Sequence, residues 1–145
     1  MIDFKQQQDD LNNYIKDNFP KFLKEHKIEE PFYTNEYLDF DKIKKNFALF
    51  LEFDNSTFPT TGNFIDDCSD TEKLLVNVFL VFRNDTPENL NTKMLNATSA
   101  FWNMIRLEQF DAITTHINKI EFFKYVEGNM NLMSSKITIE LTKEV

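Results

Sequence analysis

The chain has 145 residues and, with 24 acidic against 16 basic side chains, a formal net charge of −8 at pH 7. This charge argues against tight binding of nucleic acid, which depends on Lys and Arg contacts to phosphates. The single cysteine, Cys68, excludes an internal disulfide and a thiolate metal cluster. No segment reaches the roughly 20 apolar residues that cross a bilayer, and the polar N-terminus is unlike a secretory signal, so we expect a cytosolic protein.

The N-terminal part predicts a helix from Phe4 to Asn18. Its apolar positions recur at spacings of three and four, which places them on one face: Phe4, Leu11, Tyr14, Ile15 and Phe19. Pro20 is predicted to interrupt this helix and to start a short second one after a kink. Residues 27–45 contain Pro31 and no clear period, and we expect them to be irregular.

Two strands are predicted next. Phe47 to Phe53 alternates apolar positions, and Thr71 to Arg83 is apolar on both sides. One side of the longer strand carries Leu74, Val76, Val78, Leu80 and Phe82, and the other carries Leu75, Phe79 and Val81. We expect the two strands to pair antiparallel, and both faces of the longer one need cover.

The connection between these strands, residues 54–70, is much longer than an ordinary hairpin loop, and loops of that size are often functional. The candidate functional residues in it are Phe58, Phe64, Asp66, Asp67 and Asp70. The spacing of these aspartates does not match a calcium-binding loop. We therefore predict no metal site here.

A long helix is predicted from Glu88 to about Leu107. Asp85 or Thr86 suits its N-cap and Pro87 its first position. The apolar stripe that should cover one face of the long strand consists of Leu90, Met94, Ala97, Thr98, Phe101 and Ile105. Trp102 lies one residue off this stripe, and packing at the stripe's edge is favoured over ligand stacking.

Two further strands close the chain. The third runs through Ile120 and Phe122 to about Val126, a turn follows at Gly128, and the fourth places Met133, Ile137, Ile139 and Leu141 on one face. The predicted fold is α+β, with an antiparallel four-stranded sheet in the order α-β-β-α-β-β. We expect one domain over 1–145, made of a helical or irregular part (1–45) and a ββαββ core (46–145).

Catalytic chemistry finds little support in the sequence. Neither His26 nor His116 stands in a spacing typical of a nucleophile site, and no pair of carboxylates stands out from the acidic background. The sequence predicts no enzyme, no catalytic residues, no cofactor and no metal. A deep pocket that placed either histidine beside carboxylates would favour the opposite interpretation.

The order and length of the elements from Phe47 to Val145 resemble the tail-terminator, or tail-completion, proteins of long-tailed bacteriophages and prophages. The segments that carry this resemblance are FALFLEF, the long loop, LLVNVFLVFR running into DTPENLNTKMLNATSAFWNMI, and the closing hairpin INKIEFFKYVEGNMNLMSSKITIEL. The resemblance implies a structural protein without catalytic residues. It implies a ring, typically a hexamer, that caps the tail tube, contacts head-neck proteins, and passes from the bacterial cytoplasm into the virion tail.

The second side of the long strand gives a physical reason to expect assembly. Phe50, Leu75, Phe79 and Val81 form a candidate subunit interface, because an exposed apolar patch is commonly buried by a partner. Alternatively, the N-terminal helix and residues 27–45 cover this patch within one chain. The rival function is a small acidic binding protein of the immunity or inhibitor type, whose carboxylates would cluster on one face to block a basic partner.

Overall fold

The computed structural model describes residues 3–34, 46–53, 71–107, 114–127 and 130–144. In chain order the elements are α1 (Phe4–Leu23), β1 (Phe32–Thr34), β2 (Phe47–Phe53), β3 (Thr71–Arg83), α2 (Pro87–Leu107), β4 (Thr114–Glu127) and β5 (Met130–Glu144), with a 3-10 turn at Lys24–His26 after α1. The α+β class is confirmed. The predicted loop 54–70 and the predicted turn at Gly128 lie outside the described residues.

The five strands form one mixed sheet in the order β1-β2-β3-β5-β4. The four predicted strands pair antiparallel as expected. The expectation of a four-stranded, purely antiparallel sheet is nevertheless wrong, because a fifth strand, β1, pairs parallel to β2 over Ala48, Leu49 and Phe50. This strand falls in the segment expected to be irregular. Three residues are too few to show a period, and their extended conformation is fixed by backbone pairing with β2.

The predicted antiparallel pairing of β2 with β3 is confirmed, and its register places Phe50 opposite Phe79. The last strand of the chain, β5, lies inside the sheet. β5 pairs with β3 on one side and with β4 on the other, both antiparallel. β4 is consequently an outer strand, opposite to the short β1.

Both helices contribute to one hydrophobic core on the same face of the sheet, which we call the helix face. The α2 stripe predicted from the sequence is buried there, as are Leu11, Ile15, Phe19 and Leu23 of α1. The ring of Phe19 packs edge-to-face on Phe101, with centroids 5.5 Å apart. The N-terminal helix is thus part of the same core as the strands.

Helix α1 does not end at Pro20 as predicted. It continues to Leu23, and the backbone N–H of Lys24 donates to the carbonyl of Pro20. Phe19 and Leu23, on either side of the proline, are almost fully buried. Their burial explains the continuous helix, because packing of the apolar face outweighs the lost N–H of one proline.

Helix α2 begins where the sequence places it. Pro87 is its first residue, and the hydroxyl of Thr86 accepts the backbone N–H of Asn89 at 3.3 Å. Of the two candidate caps, Thr86 therefore fills the N-cap position. Asp85 precedes it and has a different role, described below.

Candidate functional site

The sheet face opposite to the helices, called the second face, carries the four residues predicted as a subunit interface. Phe50 on β2 lies against Phe79 on β3, with ring centroids 4.7 Å apart and planes inclined by 11°. Lys136 of β5 places its Nζ 5.9 Å from the centre of the Phe79 ring. Leu75 and Val81 share this face by the alternation of β3.

Burial divides these four residues into two pairs. Phe50 and Val81 are each only 1% exposed within the single chain, whereas Leu75 and Phe79 are half-buried. Helix α1 packs on the helix face, so it does not provide this cover. A second copy would therefore gain contact area on this face from Leu75 and Phe79, and almost none from Phe50 and Val81.

One row of residues crosses the second face on all five strands. The strand registers align Phe32, Ala48, Val81, Ser134 and Phe123 side by side. The three central members are at most 3% exposed. The terminal members, Phe32 and Phe123, are 45% and 47% exposed, so the accessible apolar surface lies at the two outer strands.

The outer strand β4 has β5 as its neighbour on one side only and carries the larger of these surfaces. Its register shifts between Ile117 and Lys119, an irregularity of the kind that twists edge strands. Phe122 and Phe123 follow in sequence and are both 47% exposed, on opposite faces of the sheet. Among the described strands β4 is outermost, and an outer strand with exposed apolar side chains is suited to contact with another chain.

A groove of about 410 Å³ adjoins β4 on the helix face, and we call it the edge groove. Its apolar lining comes from Leu95 and Trp102 of α2 and from Ile120 and Phe122 of β4. The Arg106 guanidinium lies 6.0 Å from the centre of the Trp102 ring. The indole remains 38% exposed, so the sequence expectation that Trp102 packs at the border of the stripe fits its position.

The edge of the sheet opposite to β4, formed by β1 and β2, also carries exposed apolar side chains. Phe32 lies on β1, and Phe4 packs edge-to-face on Phe53 of β2, at 5.8 Å between centroids. The most exposed large apolar residues of the described ranges are Phe4, Phe32, Leu95, Trp102, Phe122 and Phe123. All of them lie near one or the other edge of the sheet, and none of them lies at its centre.

A separate cavity of about 440 Å³ lies where β2 begins, β3 ends and α2 starts, and we call it the end cavity. His26 and Glu29, which follow α1, line it together with Asp85. The structure thus places one of the two histidines beside carboxylates in a cavity. His116, by contrast, lies exposed on β4 opposite Glu140.

Asp85 is held in a network of donors at the wall of the end cavity. Its carboxylate accepts the side-chain amide of Asn89 at 3.0 Å, the ammonium of Lys93 at 2.9 Å and the backbone N–H of Thr86 at 2.8 Å. These bonds lower the pKa of Asp85 to about 2. The carboxylate therefore stays ionised at neutral pH, where it fixes Lys93 and is unsuited to accept a proton.

The other predicted site residues belong to the segment 54–70. Phe58, Phe64, Asp66, Asp67 and Asp70 all lie outside the described residues. In the ranges that are described, no three His, Cys, Asp or Glu side chains group as metal ligands, and no helix has the length and apolar character to cross a bilayer. No protein-family model matches the chain, and no curated protein matches it at a significant level.

Sequence reasoning missed the edge residues and the end cavity for different reasons. Two adjacent phenylalanines on one strand point to opposite faces of the sheet. The sequence therefore indicates that the side chain of Phe122 or of Phe123 lies outside the core. The end cavity gave no such signal. His26, Asn46 and Asp85 are distant in sequence and meet only because the ends of three elements converge.

Proposed function

We propose that this chain is a structural subunit that assembles head-to-tail into a closed ring, of the kind that caps phage or prophage tails. The observation that carries the proposal is the placement of the exposed apolar side chains at both outer sides of one sheet. Phe32 lies on one outer strand, and Phe122 and Phe123 lie on the other. The function rests further on the resemblance of the element order to tail-terminator proteins.

Two different edges with exposed apolar side chains favour a ring over a simple dimer. A two-fold dimer uses the same patch on both subunits, so a second apolar edge would stay exposed. A head-to-tail contact instead joins the β4 edge of one copy to the β1 edge of the next and buries both. Repeating that contact around an axis closes a ring, typically six-fold in the family that the chain resembles.

The partners of such a ring are the tail tube below it and the head-neck proteins above it. Net charge −8 suits a ring through which DNA passes, because carboxylates repel phosphates. We expect the half-buried Leu75 and Phe79 on the second face to add contact area between neighbouring copies or with the tube. The chain requires no cofactor for this role.

The first test is the mass of the purified protein. Multi-angle light scattering over a hundredfold range of concentration should give a multiple of the 17.3 kDa chain, and negative-stain electron microscopy should give rings. Added to polymerising tail-tube protein, the chain should stop elongation and remain at one tube end. A particle that stays at 17.3 kDa at every concentration refutes the ring and agrees with the acidic inhibitor instead.

A further inference from the structure

The exposed large apolar side chains of the described ranges fall on both faces of the sheet. Phe32 and Phe123 share the second face, where one register row joins them. On the helix face, the edge groove beside β4 contains three of the six exposed side chains. The remaining one, Phe4, belongs to α1 and therefore also lies on the helix face. This face thus presents an apolar groove at one edge of the sheet and an exposed ring near the other.

Phe4 and the edge groove lie at nearly the same level along the strands. One register row joins Ile120, which lines the groove, to Leu51 of β2. Phe4 packs on Phe53, two residues beyond Leu51 on the same strand. Two residues of a strand span roughly 7 Å. A contact that joins the β4 edge of one copy to the β1 and β2 edge of the next therefore brings this ring close to the groove.

Two basic side chains flank the edge groove. The Arg106 guanidinium lies over the Trp102 ring, and Lys124 lies two residues after Phe122 on β4, exposed and on the same face. Neither cation is paired with a carboxylate in the part of the chain that the structure describes. Glu121, next to Phe122, points to the second face by the alternation of the strand. The groove is therefore bordered by positive charge on a chain of net charge −8.

The start of α1 carries the opposite charge. Residues 3–10 contain three aspartates and one lysine, which gives a net charge of −2. Lys5 is engaged by Asp9 in an ion pair at 2.8 Å. Asp3 and Asp10 accept hydrogen bonds from Gln6, at 3.1 and 2.6 Å, and these bonds leave their charges uncompensated. Opposite charges on two surfaces favour their association and orient it.

We propose that the edge groove of one subunit receives the Phe4 ring of the next subunit, with the acidic start of α1 near Arg106 and Lys124. This inference rests on the proposed ring, whose head-to-tail contact brings the two edges together. It gives that contact two layers, because Phe32 meets Phe123 on the second face while Phe4 enters the groove on the helix face. Aromatic anchors that fill apolar pockets carry much of the binding energy of protein interfaces.

Trp102 reports on this contact, because it is the only tryptophan of the chain and its indole is 38% exposed. Acrylamide quenching of its fluorescence is measured on the 145-residue chain at the concentrations used for light scattering. As subunits assemble, we expect the quenching constant to fall and the emission maximum to move to shorter wavelength. The physical reason is that the Phe4 ring of the neighbouring copy covers the indole and excludes water from it.

Two substitutions test the contact from its two sides. Phe4→Ala removes the inserted ring and should weaken association about tenfold or more, with Trp102 still accessible to acrylamide in the assembled species. Leu95→Lys places a charge in the groove, keeps the indole as reporter and should have the same two effects. Asn13→Ala, at an exposed position further along α1, is the control and should behave like the unmodified chain. Circular dichroism verifies that each variant is folded.

The outcomes separate this inference from the ring itself. If the unmodified chain does not assemble at any concentration, both proposals fail. If it assembles while Trp102 is quenched as strongly as in the monomer, or if Phe4→Ala assembles and protects Trp102 as before, the inserted ring is refuted and the head-to-tail contact stands. Protection of Trp102 that appears only after tail-tube protein is added assigns the groove to a different partner and also overturns the proposal.

Discussion

The hydroxyl of Thr138 on β5 donates a hydrogen bond of 2.7 Å to the side-chain oxygen of Asn77 on β3, and both residues are almost completely buried on the second face. The register places them directly opposite each other. Buried polar groups are stable only when they are paired. This bond therefore fixes the alignment of the two central strands at a point where apolar side chains alone would allow slippage.

The pair should respond to substitution as a unit. Asn77→Val leaves the Thr138 hydroxyl without its acceptor, and we expect a loss of about 1 to 3 kcal/mol in the free energy of unfolding. Adding Thr138→Val removes the orphaned hydroxyl and should recover much of that loss, because both positions then hold residues suited to a strand. Urea unfolding of both single variants and the double variant measures the coupling. Additive losses would contradict it.

A second prediction concerns the proline inside α1. Pro20 has no N–H to donate to the carbonyl of Lys16, yet the helix runs on to Leu23. Pro20→Ala restores that donor, and we expect the protein to gain up to about 3 kcal/mol of unfolding free energy. Thermal unfolding followed by circular dichroism measures the gain. Lys21→Ala, at the exposed neighbouring position, should change stability by less than about 0.5 kcal/mol.

A third prediction follows from the lowered pKa of Asp85. Its folded pKa, about 2, lies below the ordinary value of an aspartate because Asn89, Lys93 and Thr86 donate to the charged form. A depressed carboxylate pKa contributes stability above the unfolded value and loses it as the pH falls towards the folded value. The contribution should therefore be complete at neutral pH and disappear between about pH 4 and pH 2.

Asp85→Asn removes the charge and keeps an acceptor oxygen. We expect this variant to be less stable than the unmodified chain at pH 7, with the difference shrinking below pH 4. Urea unfolding at pH 7, 4 and 3 measures it, and the comparison of the two proteins cancels the titration of the other carboxylates. A difference that is the same at all three values would show that the ionised carboxylate does not stabilise the helix start.

The parts of the fold that the sequence predicts are those whose pattern is set locally. The alternation of β3 and the stripe of α2 arise because each element must present one apolar face, so Leu90 or Val78 can be assigned without knowing its neighbours. β1 could not be assigned this way. Its extended conformation depends on parallel pairing with β2, and the continuation of α1 through Pro20 depends on a core that both helices share.

The sequence predicts on which face of the sheet the candidate interface residues lie, but it does not predict how exposed their side chains are. Alternation places Phe50 and Val81 on the second face, but their burial depends on what surrounds them in the folded chain. Phe32 and Phe123, by contrast, are exposed. Their exposure follows from the sheet order, which puts β1 and β4 outermost, and sheet order is a long-range property that no local pattern encodes.

The last prediction tests whether the subunits join head-to-tail. Phe32→Lys places a charge on the β1 edge, and Phe123→Lys places one on the β4 edge, a substitution that natural edge strands use against association. Each variant alone should be monomeric, because a head-to-tail contact needs both edges. An equimolar mixture should form dimers and nothing larger, since the intact β4 edge of the first variant meets the intact β1 edge of the second.

Light scattering of the two variants and of their mixture distinguishes this arrangement from a two-fold dimer. If β4 paired with β4, Phe32→Lys would still dimerise, Phe123→Lys would not, and mixing them would create no new species. Asn13→Lys, at an exposed position of α1, adds the same charge away from both edges and should assemble like the unmodified chain. Dimers in the mixture alone are the result that only two different, complementary edges produce.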